Sequence, residues 1–350
     1  MKIRPVLVTT AAATLMSIAA LGQSLPRTHV KGVGEPSSII NATQLEQPLW
    51  QETIPQASGG TVTGDVLPFD QLGLDNAAVL RLLRLGTMDF GTTDLSRLAA
   101  DDPRFEGCDL AGVTLTMERA RLACQAYRPV LDRLMQQNWN ARLLYIGLAQ
   151  QQVFWCRVPV AGLADLKGKK VRVFNKTMID FLEGVGATGV SMAFPEVIPS
   201  LERGVMDCAV TGVLSGNTAG WPTVTTHQVQ MTLGWAIRFT AVNLNSWNRF
   251  DPRVRDFFTD QFAKFENKVW STMAEAAADA DNCNFDRSPC KLGKPAKMIN
   301  VPVKPEEAAE HKRIVETNVL RGWAKRCGAA CTQEWNETVG KALGLAASAN

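Results

Sequence analysis

The stretch LADLKGKKVRVFNKTMIDFLEGVGATGVSMAFPEVIPSLERGVMDCAVTG, residues 163–212, decides the fold of this 350-residue chain. The β-branched segment KKVRVF predicts a short buried strand. Apolar residues at helical spacing then predict a helix that Gly186 ends, with Thr177 and Asp180 as a start resembling a capping box. A second helix, at about 196–204, leads to the strand VMDCAV. This alternation of strands and helices predicts an α/β fold with a parallel sheet.

Arg172 lies at the end of the first of these strands, beside the start of the helix that follows. In other surroundings an arginine in a strand would be read as a surface charge. Here the backbone N–H groups and the positive end of the helix dipole favour an anion, and the guanidinium adds a charged fork that can bind a carboxylate through two hydrogen bonds. Because ligands of parallel sheets bind outside the carboxyl ends of the strands, we expect an anion site at this edge.

The beginning of the chain predicts export. Lys2 and Arg4 precede an apolar stretch at 6–21, and Ala20-Leu21-Gly22 supplies the small residues that a signal peptidase reads. We expect residues 1–22 to be a cleaved signal peptide, with a mature start near Gln23 and a periplasmic location. No cysteine follows the apolar stretch, so no lipoprotein anchor is expected. No later run reaches the roughly 20 apolar residues of a membrane span.

The composition is that of a well-packed globular protein. A chain of 350 residues that is 46% hydrophobic and 20% charged exceeds one typical core and favours two domains. The formal charge of +3 falls to +1 when Lys2 and Arg4 leave with the signal peptide. This charge is too small for a nucleic-acid binder, and there is no Lys/Arg run with interleaved aromatic residues.

Eight cysteines in an exported chain indicate disulfides. Spacing and predicted strands favour one connectivity out of 105 possibilities. The zinc alternative is disfavoured because the last cysteine pair has no matching second half and the three histidines are scattered. We expect no metal and no cofactor. The favoured pairs are Cys283 with Cys290, Cys327 with Cys331, Cys156 with Cys208, and Cys108 with Cys124.

The rest of the chain repeats strand and helix units in two halves, joined by extended crossovers. A long amphipathic helix, DPRVRDFFTDQFAKFENKVWSTMAEAAADA, follows the second crossover. The pattern predicts two α/β domains with a cleft between them. We place domain I at 23–149 plus about 239–280, and domain II at 150–238 plus about 281–350.

Four pieces of sequence carry a family resemblance by their order: SGGTVTGDVLPFDQLG, GTMDFG, DLKGKKVRV and FPEVIPSLERGVMD. With them the chain resembles a substrate-binding protein of the tripartite ATP-independent periplasmic (TRAP) transporters, in the dicarboxylate-binding superfamily. The resemblance implies a two-domain periplasmic-binding-protein clamshell: mixed sheets flanked by helices, hinge crossover strands and a long spanning helix. It further implies a monomer that captures a small organic acid and passes it to TRAP permease membrane subunits.

The resemblance assigns roles to five residues. Arg172 matches the family's carboxylate-binding arginine, and Asn175 matches a polar site residue at the helix start. Phe194 matches an aromatic residue that lines the pocket in relatives. The chain departs from the family at Thr211, where many relatives carry a ligand-contacting asparagine, and at Gln151, the position of a second arginine. With one arginine kept, we expect one carboxylate to be paired ionically, while hydrogen bonds and packing hold the rest of the ligand.

Four further residues are weaker candidates for the same pocket. Trp155, Phe174 and Trp235 would supply packing for the ligand. For Phe174 a place in the hydrophobic core is an equal alternative. For Trp235 the alternative is a structural role in bracing the crossover strand. Glu35, on the N-terminal loop, would face the ligand from the other domain, and the alternative is a solvated loop acid.

Two rival functions remain open at this point. A secreted hydrolase would need a nucleophile or metal motif, and the chain has no G-x-S-x-G, H-E-x-x-H or Gly-rich phosphate loop. Asp89 and Asp207 each end a short strand before a turn, which indicates a structural role for these carboxylates. The other rival is a sensor that presents the same clamshell to a receptor kinase; neighbouring genes for membrane permease subunits would favour transport instead.

Overall fold

Two β-sheets form the framework of the part of the chain that the computed structural model describes, residues 24–350. The predicted signal peptide and the predicted mature start at Gln23 lie outside these residues. The first sheet has the strand order β2-β1-β3-β10-β4, and the second β11-β9-β5-β8-β6-β7. The strands are β1 Thr28–Gly34, β2 Val62–Pro68, β3 Phe90–Asp94, β4 Ala141–Leu148, β5 Gln152–Cys156, β6 Lys170–Val173, β7 Thr188–Ser191, β8 Cys208–Gly212, β9 His227–Val229, β10 Ile237–Asn243 and β11 Ile299–Val301.

Helices cover the faces of both sheets. Shorter helical turns supplement them, among them Asn41–Glu46 between β1 and β2. None of the helices within residues 24–350 combines the length and the apolar character that a membrane span needs. The helices are α1 Ile54–Ala57, α2 Asn76–Leu85, α3 Met117–Trp139, α4 Lys176–Val185, α5 Val197–Glu202, α6 Val213–Thr218, α7 Leu244–Arg249, α8 Pro252–Asn284, α9 Ala308–Ile314, α10 Arg321–Cys327, α11 Ala329–Trp335 and α12 Lys341–Leu343.

Both sheets are mixed. Strands β1, β2 and β3 are parallel, and β10 runs antiparallel between β3 and β4. In the second sheet β6, β7 and β8 are parallel, and β5 runs antiparallel to β8 and β9. The unit β6-α4-β7-α5-β8 is the strand and helix alternation that the opening segment predicts. The predicted α/β two-domain architecture is therefore confirmed.

Two crossovers connect the sheets, from β4 to β5 and from β9 to β10, and they are hydrogen-bonded to each other. The Gln150 N–H donates to the Trp235 carbonyl oxygen (3.2 Å), and the Gln152 N–H donates to the Gly234 carbonyl oxygen (2.9 Å). The crossovers thus form a paired hinge.

The connections place the carboxyl ends of the parallel strands at the edges that face each other. In the first sheet, Arg238 at the start of β10 pairs with Asp94 at the end of β3. In the second, Gln152 at the start of β5 pairs with Gly212 at the end of β8. Strands β5 and β10 both begin at the crossovers. Because β10 is antiparallel to β3 and β5 is antiparallel to β8, the ends of β3 and β8 lie at the crossovers as well. This arrangement creates the cleft edges where ligands of α/β sheets bind.

Helix α8 spans both halves, as predicted. Phe258 and Phe262 near its beginning belong to a large core that includes the first sheet. Ala276 and Ala280 near its end belong to a smaller core under one face of the second sheet. Ile40, on the loop after β1, packs against both cores. The loop after β1 therefore touches the second half of the molecule.

The C-terminal helices also bridge the two halves. The Trp335 indole N–H donates to the Gly107 carbonyl oxygen (2.6 Å), in the segment that precedes α3. Arg326 pairs with Asp180 of α4 at 2.7 Å. The segment from α9 to α12 thus contacts both α4 and the segment that precedes α3.

The N-terminus of α4 differs from the prediction. The N-cap is Asn175, whose Oδ1 accepts from the Met178 N–H at 2.9 Å, whereas the sequence indicated Thr177. Asp180, the expected partner in the capping box, pairs instead with Lys176 (2.5 Å). Asparagine and threonine are both good N-caps, so the pattern alone could not decide between two candidates two residues apart. Gly186 ends the helix with φ of 80°, as predicted.

All four predicted disulfides are confirmed. The pair Cys156 with Cys208 joins directly opposed residues of β5 and β8. The others close shorter loops: Cys108 with Cys124, Cys283 with Cys290, and Cys327 with Cys331.

Removal of the longest-range disulfide should cost the most stability. It spans 52 residues of sequence, against 7 for the pair Cys283 with Cys290. From loop-closure entropy, Cys156→Ala with Cys208→Ala should lose about 4 kcal/mol and Cys283→Ala with Cys290→Ala about 2 kcal/mol. Denaturant unfolding of the two double variants under oxidising conditions measures the difference. Equal losses would show that loop length does not govern the stabilisation.

Candidate ligand-binding site

Arg172 is buried at the carboxyl end of β6, with 2% of its surface exposed. Its Nε donates to the Met192 carbonyl oxygen (3.0 Å), and its Nη1 donates to the Val210 carbonyl oxygen (2.8 Å). These bonds tie the side chain to the loop after β7 and to β8. They fix the direction of the guanidinium at the edge of the sheet that faces the other half of the molecule.

Aromatic rings surround this guanidinium. Its Cζ lies 5.7 Å from the ring centre of Phe174 and 5.9 Å from that of Phe194. Phe194 stacks on Trp221 at 5.4 Å between ring centres and is 37% exposed. Trp155 meets Trp221 edge to face at 6.2 Å and is fully buried. Two predicted aromatic residues, Phe174 and Phe194, thus lie against the charge, while Trp155 lies behind Trp221 in the smaller core.

Trp221 belongs to this cluster and was missed by the sequence reasoning. It lies in the segment AGWPT after α6, among turn-forming residues. No periodic pattern connects it with Phe194. The contact depends on where α6 returns the chain, which is a tertiary feature.

Thr211 lies on the same face of the sheet as Arg172. The register pairs Arg172 with Ala209, and side chains two residues apart in a strand share a face. Thr211 is buried and pairs with Val153 of β5. Thr211 therefore lies on the strand next to that of Arg172, on the same face of the sheet.

The amide of Gln151 is directed elsewhere. Its Nε2 donates to the Thr232 hydroxyl at 2.8 Å, within the paired crossovers. The neighbouring Gln150, which was not predicted, has its Oε1 at the N-terminus of α6, where it accepts from the backbone N–H groups of Leu214 (2.9 Å) and Ser215 (2.8 Å). The side-chain oxygen of Gln150 thus accepts hydrogen bonds from free backbone N–H groups in the first turn of α6, the helix that follows β8.

The N-terminus of α4, expected to favour a ligand anion, is occupied by groups of the chain itself. Asn175 caps it, and the carboxyl group of Glu106, from the segment before α3, is buried there. Burial raises the pKa of Glu106 to about 7, although Arg326 and the first backbone N–H groups of α4 favour its charged form. The N-terminus of α4 thus holds a protein carboxyl group where the sequence predicted an anion.

Across the cleft, Glu35 is a buried ion-pair partner and not a solvated loop acid. Arg238 donates from Nε to Glu35 Oε1 (3.0 Å) and from Nη2 to Glu35 Oε2. Asp94 lies 3.7 Å from the Nη1 of Arg238. Both glutamate and arginine are nearly inaccessible. Sequence reasoning found Glu35 but not Arg238, whose segment GWAIRFTAVNL gave no signal of a partner 203 residues away.

Trp235 braces the crossover. Its indole N–H donates to the Thr114 carbonyl oxygen (3.0 Å), and its backbone N–H donates to Asp109 (2.9 Å). Burial raises the pKa of Asp109 to about 7. The structure therefore places Trp235 in the large core and does not bring it beside Arg172 in any of the contacts described for it.

Asp89 and Asp207 have structural partners. Asp89 accepts from the Lys31 N–H (2.9 Å), and Asp207 accepts from the Lys170 N–H (2.9 Å). Each carboxylate thus accepts from the backbone of a neighbouring strand, in agreement with the structural interpretation. Within residues 24–350, no group of three or more His, Cys, Asp or Glu side chains is arranged to hold a metal ion.

Two α/β halves with a paired hinge, and a buried arginine at one facing edge, define a solute-binding protein of the periplasmic clamshell class. The sequence model of the family described as bacterial extracellular solute-binding protein, family 7, matches residues 33–284. The chain belongs to this family. The family comprises the extracytoplasmic receptors of TRAP transporters, which are binding proteins and not enzymes.

Two curated relatives match parts of the chain. The uncharacterized protein YiiZ of Salmonella typhimurium is 26% identical over 162 residues, which are 45% of this chain and 49% of that protein. A solute-binding protein of Roseobacter denitrificans is 24% identical over 215 residues, which are 59% of this chain and 62% of that protein. The chain thus spans about half to three fifths of the length of these relatives.

Solved structures of the same fold cover nearly the whole chain. DctP7 of Bordetella pertussis, an extracytoplasmic solute receptor binding pyroglutamic acid, is 23% identical with a TM-score of 0.76, over 89% of this chain and 99% of that one. A TRAP solute-binding protein of Desulfovibrio salexigens with bound orotic acid is 16% identical with a TM-score of 0.77, over 90% and 98%. One of Haemophilus influenzae with bound L-gulonate is 17% identical with a TM-score of 0.75, over 90% and 99%.

The buried carboxyl group of Glu106 should make stability fall as pH rises. Its pKa is about 7 in the folded chain against an ordinary 4.5. Between these values the folded chain keeps a proton that the unfolded chain has released, so the free energy of unfolding decreases with pH. Glu106→Gln should make the slope of unfolding free energy against pH less negative between pH 5 and 7.5, measured by urea titrations.

The control for this experiment is Glu310→Gln. Glu310 is exposed, and its pKa is lowered by Arg313. This variant should leave the slope between pH 5 and 7.5 as in the wild type. An unchanged slope in Glu106→Gln would mean that Glu106 is ionised in the folded chain throughout this range.

Proposed function

We propose that this chain captures a small organic acid between its two halves in the periplasm and delivers it to the membrane subunits of a TRAP permease. The observation that carries the proposal is the buried, oriented guanidinium of Arg172 at the facing edge of the second sheet. Arginine presents a planar fork that matches a carboxylate, and a site shielded from water strengthens the charged hydrogen bonds. The ligands named for the solved relatives, pyroglutamic acid, orotic acid and L-gulonate, all contain a carboxylate.

The remaining contacts follow from the geometry around Arg172. Phe174 and Phe194 would flank the carboxylate end and exclude water, and Thr211 would donate or accept a hydrogen bond beside it. Glu35, held by Arg238, would face the ligand from the first half. Asn175 would act indirectly, by capping the helix next to Arg172.

The domains are inferred to be 23–149 plus about 239–280, and 150–238 plus about 281–350, with a signal peptide at 1–22. The division of the strands into two sheets supports these boundaries. The C-terminal helices contact both halves, so their assignment to domain II rests on their contacts with α4. We infer that the receptor acts as a monomer.

The mechanism is closure about the paired crossovers. A ligand that docks on Arg172 in an open form gains contacts with the first half only when the halves approach. The difference in binding free energy between the two forms then selects the closed one. A closed form carrying ligand is the species that a permease would have to recognise.

Replacement of Arg172 tests this function. A thermal-shift screen with mono- and dicarboxylates, hydroxy and keto acids, aromatic acids and sugar acids should first identify a ligand, since a compound that binds only the folded chain raises its melting temperature. Arg172→Ala should then weaken binding by about 3 kcal/mol or more, because the carboxylate loses its partner in a desolvated site. Arg172→Lys should also weaken binding, since an ammonium cannot form the planar pair of bonds.

Arg203→Ala is the matched control. Arg203 lies at the end of α5 in the same half, on an exposed surface, and its Nε donates to the Pro199 carbonyl oxygen. Calorimetry should give this variant the affinity of the wild type. An affinity that survives Arg172→Ala would remove Arg172 from the site, and a screen without any carboxylic acid ligand would refute the proposed function.

A further inference from the structure

A stack of aromatic rings runs from the edge of the second sheet into the smaller core. The ring of Phe194 lies on that of Trp221, with their centres 5.4 Å apart and their planes inclined by 24°. Trp221 in turn meets Trp155 edge to face, with 6.2 Å between the ring centres. Phe194 is partly exposed, whereas Trp221 and Trp155 are inaccessible and belong to the smaller core. The outermost ring of the stack is therefore supported from inside the protein.

The turn that carries Phe194 is short, because it comprises only Phe194–Glu196. The Glu196 carboxylate accepts from the Ala193 N–H (3.1 Å) and fixes the backbone at the start of this turn. This bond does not restrain the side chain of Phe194, which is 37% exposed. Because an exposed aromatic side chain on a turn retains rotamer freedom, its direction depends on the ring that it packs against. In this structure that ring belongs to Trp221.

The backbone of Trp221 is itself held in place. Its carbonyl oxygen accepts from the Val224 N–H (3.0 Å), the Thr225 N–H (3.0 Å) and the Thr225 hydroxyl (2.8 Å). Gly220, directly before it, has a φ of 86°, in the left-handed region that favours glycine, and turns the chain after α6. Trp221 is thus fixed both through its backbone and through its contact with Trp155. It can act as a rigid platform for the ring of Phe194.

The supported ring lies against Arg172. The Cζ of Arg172 is 5.9 Å from the ring centre of Phe194. The Nε of Arg172 donates to the carbonyl oxygen of Met192, two residues before Phe194, so one loop holds both groups. An aromatic ring in contact with a guanidinium excludes water from the side that it covers. Charged hydrogen bonds are stronger, and less screened by salt, where water is excluded.

We propose that Trp221 is a positioning residue of the ligand site: it holds the ring of Phe194 beside Arg172 and so shields the pair that the guanidinium forms with the ligand carboxylate. This inference rests on the proposed function. Trp221 acts through Phe194 and does not touch the ligand. A tryptophan that only filled the core would contribute to stability and leave the affinity unchanged. The two roles differ in whether its effect on affinity depends on Phe194, and in the response of the affinity to salt.

A double-mutant cycle on the full mature chain tests the dependence on Phe194. The probe is the tightest-binding acid among pyroglutamate, orotate, L-gulonate and succinate, the ligands named for solved relatives, or else the best acid of the wider screen. By calorimetry, Trp221→Leu should weaken binding about threefold to tenfold, since binding must then order the freed Phe194 side chain. In the Phe194→Ala background the same exchange should change the affinity less than about twofold. A full effect of Trp221→Leu in both backgrounds overturns the inference, as does no effect in either.

The salt dependence of binding gives a second readout, which a purely structural role would not change. When sodium chloride is raised from about 0.05 to 0.5 M, Trp221→Leu and Phe194→Ala should each lose more affinity than the wild type, by a factor of about two or more. The reason is that salt screens an ion pair more strongly once water reaches it. Equal losses in the three proteins overturn the shielding role. Phe194→Ala changes a partly exposed side chain, so its comparison with the wild type decides the matter if Trp221→Leu does not fold.

Trp323→Leu is the matched control. Trp323 is also inaccessible and packs on a second tryptophan, Trp335 of α11, with 5.8 Å between the ring centres. This variant should lose stability as Trp221→Leu does but keep the wild-type affinity and salt dependence; an equal loss of affinity would mean general damage to the core and overturn the inference. Trp221→Phe, which keeps a ring beneath Phe194, should recover most of the affinity lost in Trp221→Leu, and an equally low affinity contradicts the platform role. Failure of every carboxylic acid to bind would instead refute the proposed function itself.

Discussion

The crossover from β4 to β5 and the crossover from β9 to β10 lie side by side, joined by hydrogen bonds between Gln150 and Trp235 and between Gln152 and Gly234. This contact determines which edges of the two sheets meet. Because β5 and β10 both begin there, the carboxyl ends of β3 and β8 are brought to the same place. A cleft with polar strand ends on both sides follows from these connections, and the side chains at the ends decide what it can bind.

The two edges differ in charge, and the difference has a structural cause. On the second sheet the positive group, Arg172, is held by backbone carbonyl oxygens and aromatic rings. On the first sheet the positive group, Arg238, is shared by Glu35 and Asp94. In the proposed function, the edge with Arg172 receives the anionic end of the ligand, and the edge with Glu35 and Asp94 disfavours it. A cleft of this kind suits an asymmetric ligand, with one orientation favoured over its reverse.

The sequence was sufficient for the features that depend on local pattern. The strands and helices of 163–212, the position of Arg172 at a strand end and all four disulfides followed from spacing and composition, and the order of motifs indicated the family. The sequence did not predict the contacts that depend on a partner far away in the chain. The N-cap of α4 was assigned two residues late, and Glu106, 69 residues before Asn175 in sequence, was not foreseen at that helix terminus. Arg238 and Trp221 complete clusters with residues far away in the chain, and a single sequence gives no measure of such proximity.

Three buried carboxyl groups oppose folding at neutral pH. Glu46, Glu106 and Asp109 are buried with pKa values of about 7, so each holds a proton that the unfolded chain releases under mildly acidic conditions. Glu46 accepts from the Glu35 N–H after β1, Glu106 is buried at the N-terminus of α4, and Asp109 accepts from Trp235 and Ile237 at the crossover. Glu106 and Asp109 lie where the halves meet, so their cost accompanies the contact between the halves. The disulfides lie close to the same regions: Cys156 with Cys208 in the second sheet, and Cys108 with Cys124 beside Glu106 and Asp109. Covalent links that destabilise the unfolded chain offset the cost of these buried carboxyl groups without filling the cleft.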